Sequence, residues 1–598
     1  MRTQTAVVAC VVGQAMATPP PRAFDLDVVA STRLPEGAPV PGFDFESVGV
    51  DRVRSYHLPE LSDRSGAMFG AQLFDPVLTE QAGEAVLMRG DPNAPLALSA
   101  IAQQGDTAPG LVAGEVMLLD RTFPFDLFFS ESDADAAFAA YVSNPDQSDQ
   151  RRVVFRRTDD NQPSVLFDPW NPPTGIAPGE DLDRNIRGRN DPVVYGRDGS
   201  LGVIVNYADG SDAIALVTAD GQFGEELART GDAAPVFGSE TAWNYHAFGT
   251  LSASGDGRLL WDARLLEDGG TAPGSGIFTS RPATGGNPVA ISGDEVPGYD
   301  PPRYLQSLTY PQGQSATNRP LFAGEQRIVF FAAAREEATN FGSYVLLEWN
   351  AGVLSVLKQE GDPVPGGAPG DEVKHIGDYQ TDEDGNVLIM VQADDEVLDL
   401  MDGLIERTQG GDERWLMNER RVPIDLEPLA GLVANWDLFT FAPMAALGDG
   451  HVAAWCWVED DLGEGYAAVM SDAAPRPRLI LRHGDALEVG PGDVRIVDAV
   501  FVTPSDGRHH GRPASANAHK QVLLSVRFED TTEALVLATP NAYFCPAEFT
   551  GDGVLDLGDI SGFVSEFLSG SRWADVNGDS VVDQGDIHAF VERFLAGC

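Results

Sequence analysis

Gly361-Asp-Pro-Val-Pro-Gly366 is a short turn signal, and close copies of it recur through most of this 598-residue chain. The copies that keep the Gly-Asp pair begin at Gly105, Gly231, Gly293 and Gly484. The aspartates of three neighbouring copies stand at positions 232, 294 and 362, so the spacing between copies is nearly constant. A roughly constant period is typical of repeat proteins, in which each unit packs on its neighbours. The sequence therefore predicts an array of similar units.

Degenerate copies complete the series at residues 36–42, at Asp168-Pro169 and near Val422-Pro423. A second signal, Asp-Gly, stands before an apolar run at Asp198-Gly199, Asp256-Gly257, Asp384-Gly385 and Asp449-Gly450. Asp-Gly between strand-like runs predicts a tight hairpin, because its glycine accepts a positive φ. Each unit then reads as four strands, which in one unit lie near residues 247–252, 258–264, 275–279 and 287–291.

About 62 residues holding four short antiparallel strands match the blade of a β-propeller. We therefore predict a mainly β chain, with a seven- or eight-bladed propeller over residues 24–540. The strand Phe24–Arg33 has no blade before it, and residues 494–502, 521–527 and 534–537 lack a fourth strand. Together they would complete one blade and close the ring. The pattern resembles propeller-like tandem repeats of secreted bacterial proteins that carry interchangeable C-terminal anchors.

The repeated Gly-Asp turns have two interpretations. Their aspartates (Asp106, Asp232, Asp294, Asp362 and Asp485) could form an acidic crown that binds a cation or a sugar. Alternatively, each aspartate bonds its own backbone and fixes the turn. Repetition favours the second interpretation, because a binding site is usually singular whereas scaffolding is repeated.

Charge narrows the classes of partner. The chain has 40 Lys and Arg against 91 Asp and Glu, a formal net charge of -51. Nucleic acids and anionic membranes both require a basic face, so neither is an expected partner. We also expect no membrane span, since no segment has the necessary apolar length.

Residues 1–17 are predicted to be a secretory signal peptide. Arg2 supplies the positive start, residues 6–13 form a short apolar core, and Ala15-Met16-Ala17 fits the cleavage site. The expected location is therefore extracellular or at the cell surface.

Catalytic residues are not identifiable from the sequence. There is no H-E-x-x-H motif, no Gly-x-Ser-x-Gly elbow and no P-loop. His509-His510 lies in a polar segment that reads as an exposed loop, and Cys456 reads as a buried free thiol in a strand. Sugar-stacking tryptophans are conceivable, but most stand in apolar runs and are expected in the core. They are Trp170, Trp243, Trp261, Trp349, Trp415, Trp436, Trp455 and Trp457.

Residues 545–598 differ from everything before them and contain one loop-plus-helix unit written twice, first from position 548 and again from position 575. An EF-hand loop supplies oxygen ligands at positions 1, 3, 5, 7, 9 and 12, with a backbone carbonyl at position 7. The first copy places Glu548, Thr550, Asp552, Val554, Asp556 and Asp559 at these positions. The second places Asp575, Asn577, Asp579, Val581, Asp583 and Asp586 there. We predict two bound Ca²⁺ ions and a segment that folds only with its metal.

An amphipathic helix is predicted after each loop. The apolar stripes consist of Ile560, Phe563, Val564, Phe567 and Leu568, and of Ile587, Phe590, Val591, Phe594 and Leu595. Their i, i+3, i+4 spacing predicts that each helix buries one face. The simplest expectation is that the two stripes pack on each other.

Two loop-then-helix units without entering helices resemble a type I dockerin. Cys545-Pro546 and Gly597-Cys598 add a likeness to the GC-type dockerin variant of secreted bacterial proteins. The resemblance implies a small α-helical domain with a cohesin-like or cell-surface partner. Cys545 and Cys598 bracket the domain, and a disulfide between them is expected in an oxidising compartment. A free Cys598 used for covalent attachment is the rival reading.

Three functions are compatible with these features. The leading hypothesis is a secreted, non-catalytic propeller that binds a polysaccharide or protein ligand and is docked through the calcium domain. The second, implied by the dockerin resemblance, is a polysaccharide-degrading enzyme, a glycoside hydrolase or lyase. The third is a structural envelope or matrix protein.

Overall fold

A computed structural model provides the three-dimensional description of the chain. It describes residues 24–31, 44–48, 60–61, 67–75, 80–89, 98–103, 105–111, 115–118, 126–129, 136–144, 150–157, 163–176, 193–196, 198–235, 242–268, 273–281, 285–308, 319–324, 326–336, 342–365, 371–382, 384–395, 399–418, 435–437, 444–448, 451–460, 463–471, 477–502, 515–517, 519–540, 557–569 and 584–596. Within these residues the chain forms 38 strands and two helices.

The described strands form eight sheets, which we number in chain order. Sheet 1 contains β2 (Asp44–Val48), β3 (Glu60–Leu61), β4 (Ala67–Asp75), β5 (Glu80–Arg89) and β6 (Leu98–Gln103). Sheet 2 contains β7 (Val116–Leu118), β8 (Asp126–Phe129), β9 (Ala136–Ser143), β10 (Gln150–Arg157) and β11 (Pro163–Phe167). Sheet 3 contains β12 (Val193–Tyr195), β13 (Leu201–Asn206), β14 (Asp212–Val217) and β15 (Gly224–Arg229). Sheet 4 contains β16 (Trp243–Ala253), β17 (Leu259–Glu267), β18 (Pro273–Arg281) and β19 (Gly285–Ile291).

The second half of the array continues in the same manner. Sheet 5 contains β20 (Glu295–Val296), β21 (Arg303–Ser307), β22 (Leu321–Ala323), β23 (Arg327–Glu336), β24 (Gly342–Asn350) and β25 (Val353–Gln359). Sheet 6 contains β26 (Glu372–Thr381), β27 (Val387–Asp395), β28 (Asp399–Arg407) and β29 (Glu413–Asn418). Sheet 7 contains β30 (Asn435–Asp437), β31 (Met444–Gly448), β32 (His451–Asp460), β33 (Gly463–Ser471) and β34 (Arg478–Arg482). Sheet 8 contains β35 (Ala486–Gly490), β36 (Asp493–Val502), β37 (Val522–Phe528), β38 (Glu533–Pro540) and β1 (Phe24–Ser31). The helices are α1 (Leu557–Ser569) and α2 (Gln584–Ala596).

Every strand pair within the sheets is antiparallel, and in sheets 3, 4 and 6 each strand pairs with the next one along the chain. Sheet 4 has the order β16-β17-β18-β19, and its strands cover the four predicted segments of that unit. Its first hairpin turns through Gly257, whose φ is 80°, and Gly199 and Gly385 occupy the matching turns at 82° and 75°. The Asp-Gly signal is therefore confirmed as the hairpin between the first two strands of a unit at these three positions.

Sheets 3, 4 and 6 have the predicted four strands, and the other five sheets have five or six. In sheets 1, 2, 5 and 7 two separate strands pair with the same neighbour, for example β30 and β31 with β32 in sheet 7 and β21 and β22 with β23 in sheet 5. β16 and β26 are the unbroken equivalents of these divided strands. The pairing of each with its neighbour contains two register shifts. A bulge places extra residues opposite a shorter partner, and a longer insertion at that place divides the strand.

The N-terminal strand completes the last sheet. β1 pairs antiparallel with β38, with Phe24 opposite Pro540 and Ser31 opposite Ala534. This confirms the predicted pairing of the first strand with the C-terminal end of the array. Strands β2 and β3 of sheet 1 in turn contact β38 and β37 of sheet 8.

The core consists of apolar clusters between successive sheets. Trp261 of sheet 4 packs with Val194 of sheet 3 in one cluster, and Leu260 packs with Phe330 of sheet 5 in the next. Further clusters join sheets 1 and 2, 2 and 3, 5 and 6, 6 and 7, and 7 and 8. Because each sheet packs face to face on its neighbours and the last contacts the first, the array is β-propeller-like. Among the described residues, no helix has both the length and the apolar character that crossing a bilayer requires.

Candidate functional site

The Gly-Asp turns join one sheet to the next through paired backbone hydrogen bonds. Gly361 N–H donates to Val373 O at 2.8 Å, and Val373 N–H donates back to Asp362 O at 2.8 Å. We call this two-bond arrangement a junction clip. The same clip joins Gly105-Asp106 to Met117, Gly231-Asp232 to Tyr245, Gly293-Asp294 to Leu305, and Gly484-Asp485 to Val497. The sequence repeat is thus the link between adjacent sheets.

Both residues of the clip have a defined backbone role. The glycine has a left-handed φ in all five clips, 89° at Gly361, which an L side chain rarely adopts. The Asp362 carboxylate accepts the N–H of Gln359 at 3.0 Å, and Asp106, Asp294 and Asp485 accept the N–H three residues before them in the same way. At these four positions the turn interpretation of the repeated aspartates is confirmed. Burial raises the pKa of the Asp294 carboxyl above its ordinary value, and the hydrogen bond from Ile291 offsets this only in part.

The junction between sheets 2 and 3 is built differently. Asp168 stands where the repeat has its turn, and its carboxylate accepts two hydrogen bonds from the buried Arg151 guanidinium, Nε at 2.7 Å and Nη2 at 3.0 Å. Glu115 accepts from the same guanidinium, Nη1 at 2.7 Å and Nη2 at 3.0 Å. Burial alone would lower the pKa of Arg151, but the hydrogen bonds and charges of Glu115 and Asp168 raise it above its ordinary value. This arginine remains charged between two carboxylates.

Trp170 covers this buried ion triad. Its indole lies on the Arg151 guanidinium, with Cζ 3.9 Å from the ring centroid, and its backbone N–H donates to Asp168 Oδ1 at 3.0 Å. The side chain is still 40% exposed. The expectation that tryptophans are mostly core is confirmed for Trp261, which is fully buried, whereas Trp170 is the exposed one among the tryptophans whose side chains are described. Trp243, Trp349, Trp415, Trp455 and Trp457 are half-buried.

The C-terminal helices are two copies of one structure. α1 and α2 each have 13 residues. The first residue of α1 is at position 557 and that of α2 at 584; their last residues are at 569 and 596. The two helices are therefore related by one constant shift along the chain. Asp559 and Asp586 occupy the first turns of the two helices, and both are fully buried. A carboxylate removed from water needs compensating positive charge or hydrogen bonds. These two are the predicted twelfth-position ligands, and the structure places them at equivalent positions of the two helices.

Among the described residues, the two helices meet through one aromatic pair. The rings of Phe563 and Phe590 stack with centroids 4.2 Å apart and an interplanar angle of 4°, and both side chains are buried. The two stripes meet at this pair, as expected, whereas the outer members of both stripes are exposed. Val564 and Val591 are each 44% exposed, and Leu568 and Leu595 are 79% and 78% exposed. A single stacked pair between two short helices leaves the flanking positions of each stripe facing solvent.

The remaining predicted ligands lie outside the described residues. They are Glu548, Thr550, Asp552, Val554, Asp556, Asp575, Asn577, Asp579, Val581 and Asp583. Cys545, Cys598, the signal segment 1–17 and His509-His510 lie outside as well. Cys456 is buried in β32, as predicted, and its Sγ lies 3.8 Å from Ala467 O. Within the described ranges, no group of three or more His, Cys, Asp or Glu residues is placed to hold a metal ion.

Arg151 and Glu115 were not predicted as site residues, because a single charged residue in or beside a strand carries no site signal of its own. The available signal was the departure of Asp168-Pro169-Trp170 from the Gly-Asp pattern.

Residues 190–404, about a third of the chain, match the model of a family of unknown function (DUF7453). No curated protein matches the chain. Among solved structures, the β-propeller domain of the Trilobed protease from Pyrococcus furiosus, which has an open velcro topology, matches with a TM-score of 0.34 at 7% identity. The match covers 72% of this chain and 94% of that one.

Two other solved structures show the same degree of likeness. A puromycin-hydrolyzing peptidase from Mycobacterium tuberculosis matches with a TM-score of 0.32 and 13% identity over 78% of this chain and 61% of its own. An ulvan lyase of polysaccharide lyase family PL25 matches with a TM-score of 0.28 and 10% identity over 68% and 90%. The chain therefore spans about three fifths of the peptidase's length. All three TM-scores are below 0.5, so the fold rests on the chain's own strand order and sheet contacts.

Proposed function

We propose that this chain is a secreted, non-catalytic β-propeller that binds a ligand on its ring and is docked through a calcium-binding, dockerin-like tail. The observation that carries the proposal is the equivalence of the two C-terminal helices under one constant shift along the chain. Length, buried aspartate, stacked phenylalanine and exposed apolar residues all repeat at that shift. Chance amphipathic helices would not share each of these features position by position.

Calcium is the metal that the donor set favours. The two loops before the helices supply carboxylates, an amide and a hydroxyl at alternating positions, and Ca²⁺ prefers six to eight such oxygens. Asp559 and Asp586 would each complete one loop from the first turn of the following helix, where the helix dipole also favours a negative charge. A bound ion would add a favourable charge interaction with each of these two carboxylates. We propose that the same metal-dependent folding orders the residues between Cys545 and Cys598.

The exposed stripe residues support a docking role for the tail. Val564 and Leu568 of α1 are matched by Val591 and Leu595 of α2, so the pair of helices presents two similar apolar patches. Exposed apolar patches on small domains often mark interaction surfaces. A cohesin-like or cell-surface protein is the partner class that the dockerin resemblance suggests.

For the array we propose an eight-bladed ring closed by β1. Eight sheets are present among the described residues, and the pairing of β1 with β38 adds the N-terminal strand to the edge of the last sheet. A non-catalytic role is favoured because four of the five repeated carboxylates are engaged by backbone amides of their own turns. A polysaccharide-degrading enzyme remains the alternative.

Full-length protein tested on soluble polysaccharides decides between the two functions. Retardation in affinity gels without release of reducing ends or unsaturated products is the expected result. Product release above the background of a heat-inactivated control would overturn the non-catalytic assignment. The tail is tested separately by equilibrium dialysis, in which the purified full-length chain is expected to retain two Ca²⁺ ions.

A further inference from the structure

The junction between sheets 2 and 3 breaks the repeat. Five junctions use the Gly-Asp clip, whereas here Asp168-Pro169-Trp170 follows β11 and the turn is tied to a buried arginine. The other two degenerate copies, at residues 36–42 and near Val422-Pro423, lie outside the described residues, so this is the one described junction that departs from the clip. The departure also produces an exposed indole in a chain whose other described tryptophans are buried or half-buried.

The indole of Trp170 is held in one orientation. The Arg151 guanidinium beneath it makes four hydrogen bonds to Glu115 and Asp168, at 2.7 to 3.0 Å, and these carboxylates are themselves buried. The backbone N–H of Trp170 is bound by the same Asp168 carboxylate. A side chain whose position is already fixed loses little conformational entropy when a ligand binds. The Arg151 guanidinium covers part of the indole. The exposed part of the indole is therefore already held in place before a ligand binds.

A second exposed aromatic lies on the neighbouring hairpin. Phe223, between β14 and β15, is 60% exposed. The segment that follows Trp170 is bonded to this hairpin, with Thr174 N–H donating to Gln222 O at 3.1 Å and Gly224 N–H donating to Thr174 O at 2.9 Å. Thr174 and Phe223 form a parallel bridge.

Glycine makes this close approach possible. A Cβ on Gly175 would stand 2.2 Å from Gly224 O, and one on Gly221 would stand 2.8 Å from Leu166 O. Gly175 and Gly221 also have φ values of 103° and 69°. Backbone therefore packs on backbone, and the segment bearing Trp170 is fixed against the hairpin bearing Phe223.

We propose that Trp170 and Phe223, with the exposed amide side chains of Asn171 and Gln222, form a binding surface for a neutral polysaccharide. Aromatic rings present large rigid apolar faces, which suit the C–H face of a pyranose ring. Amides supply both donors and acceptors for the hydroxyl groups at the ring edge. The proposal rests on the proposed ligand-binding function and gives it a location and a substrate class.

Charge selects neutral over acidic sugars. The buried triad beneath the indole has two carboxylates and one guanidinium, hence one net negative charge, and the whole chain has a formal charge of -51. A uronate or sulfate ester would approach this surface against like charge. Neutral glycans meet no such cost.

The test uses full-length protein, its Trp170→Ala and Phe223→Ala variants, and the control Val353→Ala. Val353 is an exposed residue in sheet 5 and has no place in the proposed surface. Affinity electrophoresis with mixed-linkage β-glucan, galactomannan and xylan as neutral probes, and alginate as the acidic probe, gives dissociation constants. We expect the wild-type chain to bind at least one neutral probe, Trp170→Ala to weaken it by about tenfold or more, and Phe223→Ala by a smaller factor. Val353→Ala should bind as the wild type does.

The outcomes separate this proposal from the function on which it rests. If the wild-type chain binds a neutral probe and both aromatic variants bind equally well, the location is wrong and the ligand-binding function stands. Binding of alginate alone, or of none of the probes, overturns the neutral-polysaccharide assignment, and the calcium tail is unaffected by that result. Urea midpoints of the variants within error of the wild type exclude misfolding, and Trp170→Phe, which keeps an aromatic face, should recover part of the affinity.

Discussion

The β-array and the two-helix tail differ in the packing that their described residues show. The array buries apolar clusters between every pair of successive sheets and joins the sheets through backbone clips. The tail has two helices of 13 residues whose described contact is a single stacked pair of phenylalanines. Helices of that length are marginal in water without tertiary support. The difference teaches that the described residues of the array form an extended core, whereas those of the tail show one small contact; metal-dependent folding of the tail is the proposal that the following experiments test.

The largest expected effect follows from removing the two buried carboxylates of the tail. In the double variant Asp559→Asn, Asp586→Asn, each loop loses its twelfth-position charge, and we expect both helices to unfold at millimolar Ca²⁺. Helical signal near 222 nm should fall while the urea midpoint of the array stays unchanged. Asp209→Asn, an exposed turn residue of the array, is the matched control. Retained helices in the double variant would show that the tail is stable without these ligands.

Replacing Arg151 inside the array is expected to lower the free energy of unfolding substantially. Replacing it by alanine leaves Glu115 and Asp168 buried without their partner, and such losses cost about 3–5 kcal/mol. Arg258→Ala removes an arginine from the half-exposed Asp256 and should cost about 1 kcal/mol or less. Urea titration of both variants measures the difference. Equal midpoints for the two variants would mean that the triad contributes no more than a surface ion pair.

We expect a side chain at a clip glycine to lower the stability of the chain because of the backbone conformation there, and not because it lacks room. Gly361→Ala places a side chain at a φ of 89°, which costs about 1–2 kcal/mol, although a Cβ there would meet no atom within 4 Å. Gly490→Ala is the control, because its Cβ would also meet nothing and its φ is not in the left-handed region. Thermal or urea unfolding should show a loss at position 361 and almost none at position 490. The reverse order would contradict the clip account.

Much of this organisation was predictable from the sequence, and the physical reason is local. The Gly-Asp and Asp-Gly pairs require particular backbone angles, so they mark junctions and hairpins wherever they stand, as at Gly361 and Gly257. The pairing of β1 with β38 followed from counting strands at the two ends of the array. The ion triad could not be foreseen, because Glu115, Arg151 and Asp168 are brought together only when three strands of the array take their places. The same holds for the partial exposure of the helix stripes, which depends on what each helix packs against.

The smallest effect on stability is expected from removing a buried hydroxyl group in the array core. Tyr245 is buried, and its hydroxyl has no hydrogen-bond partner among the described residues. Tyr245→Phe should therefore stabilise the chain by about 1 kcal/mol. Burial, with a further contribution from the charge of Asp232, raises the pKa of Tyr245 well above its ordinary value.

That raised pKa gives a pH dependence with a definite sign. The folded phenol keeps its proton while the unfolded one ionises near pH 10, so the contribution to stability is complete below about pH 10 and is lost as the pH rises further. The advantage of Tyr245→Phe over the wild type should grow above pH 10. A constant difference between pH 8 and pH 11 would show that the phenol titrates normally in the folded chain.

Hydrogen exchange of the full-length chain with and without a calcium chelator tests the central claim most directly. The account predicts that chelation removes protection from residues 557–569 and 584–596 and leaves strands such as Val387–Asp395 protected, and that added Ca²⁺ restores the helices. Protection of both helices that is indifferent to chelator would contradict it.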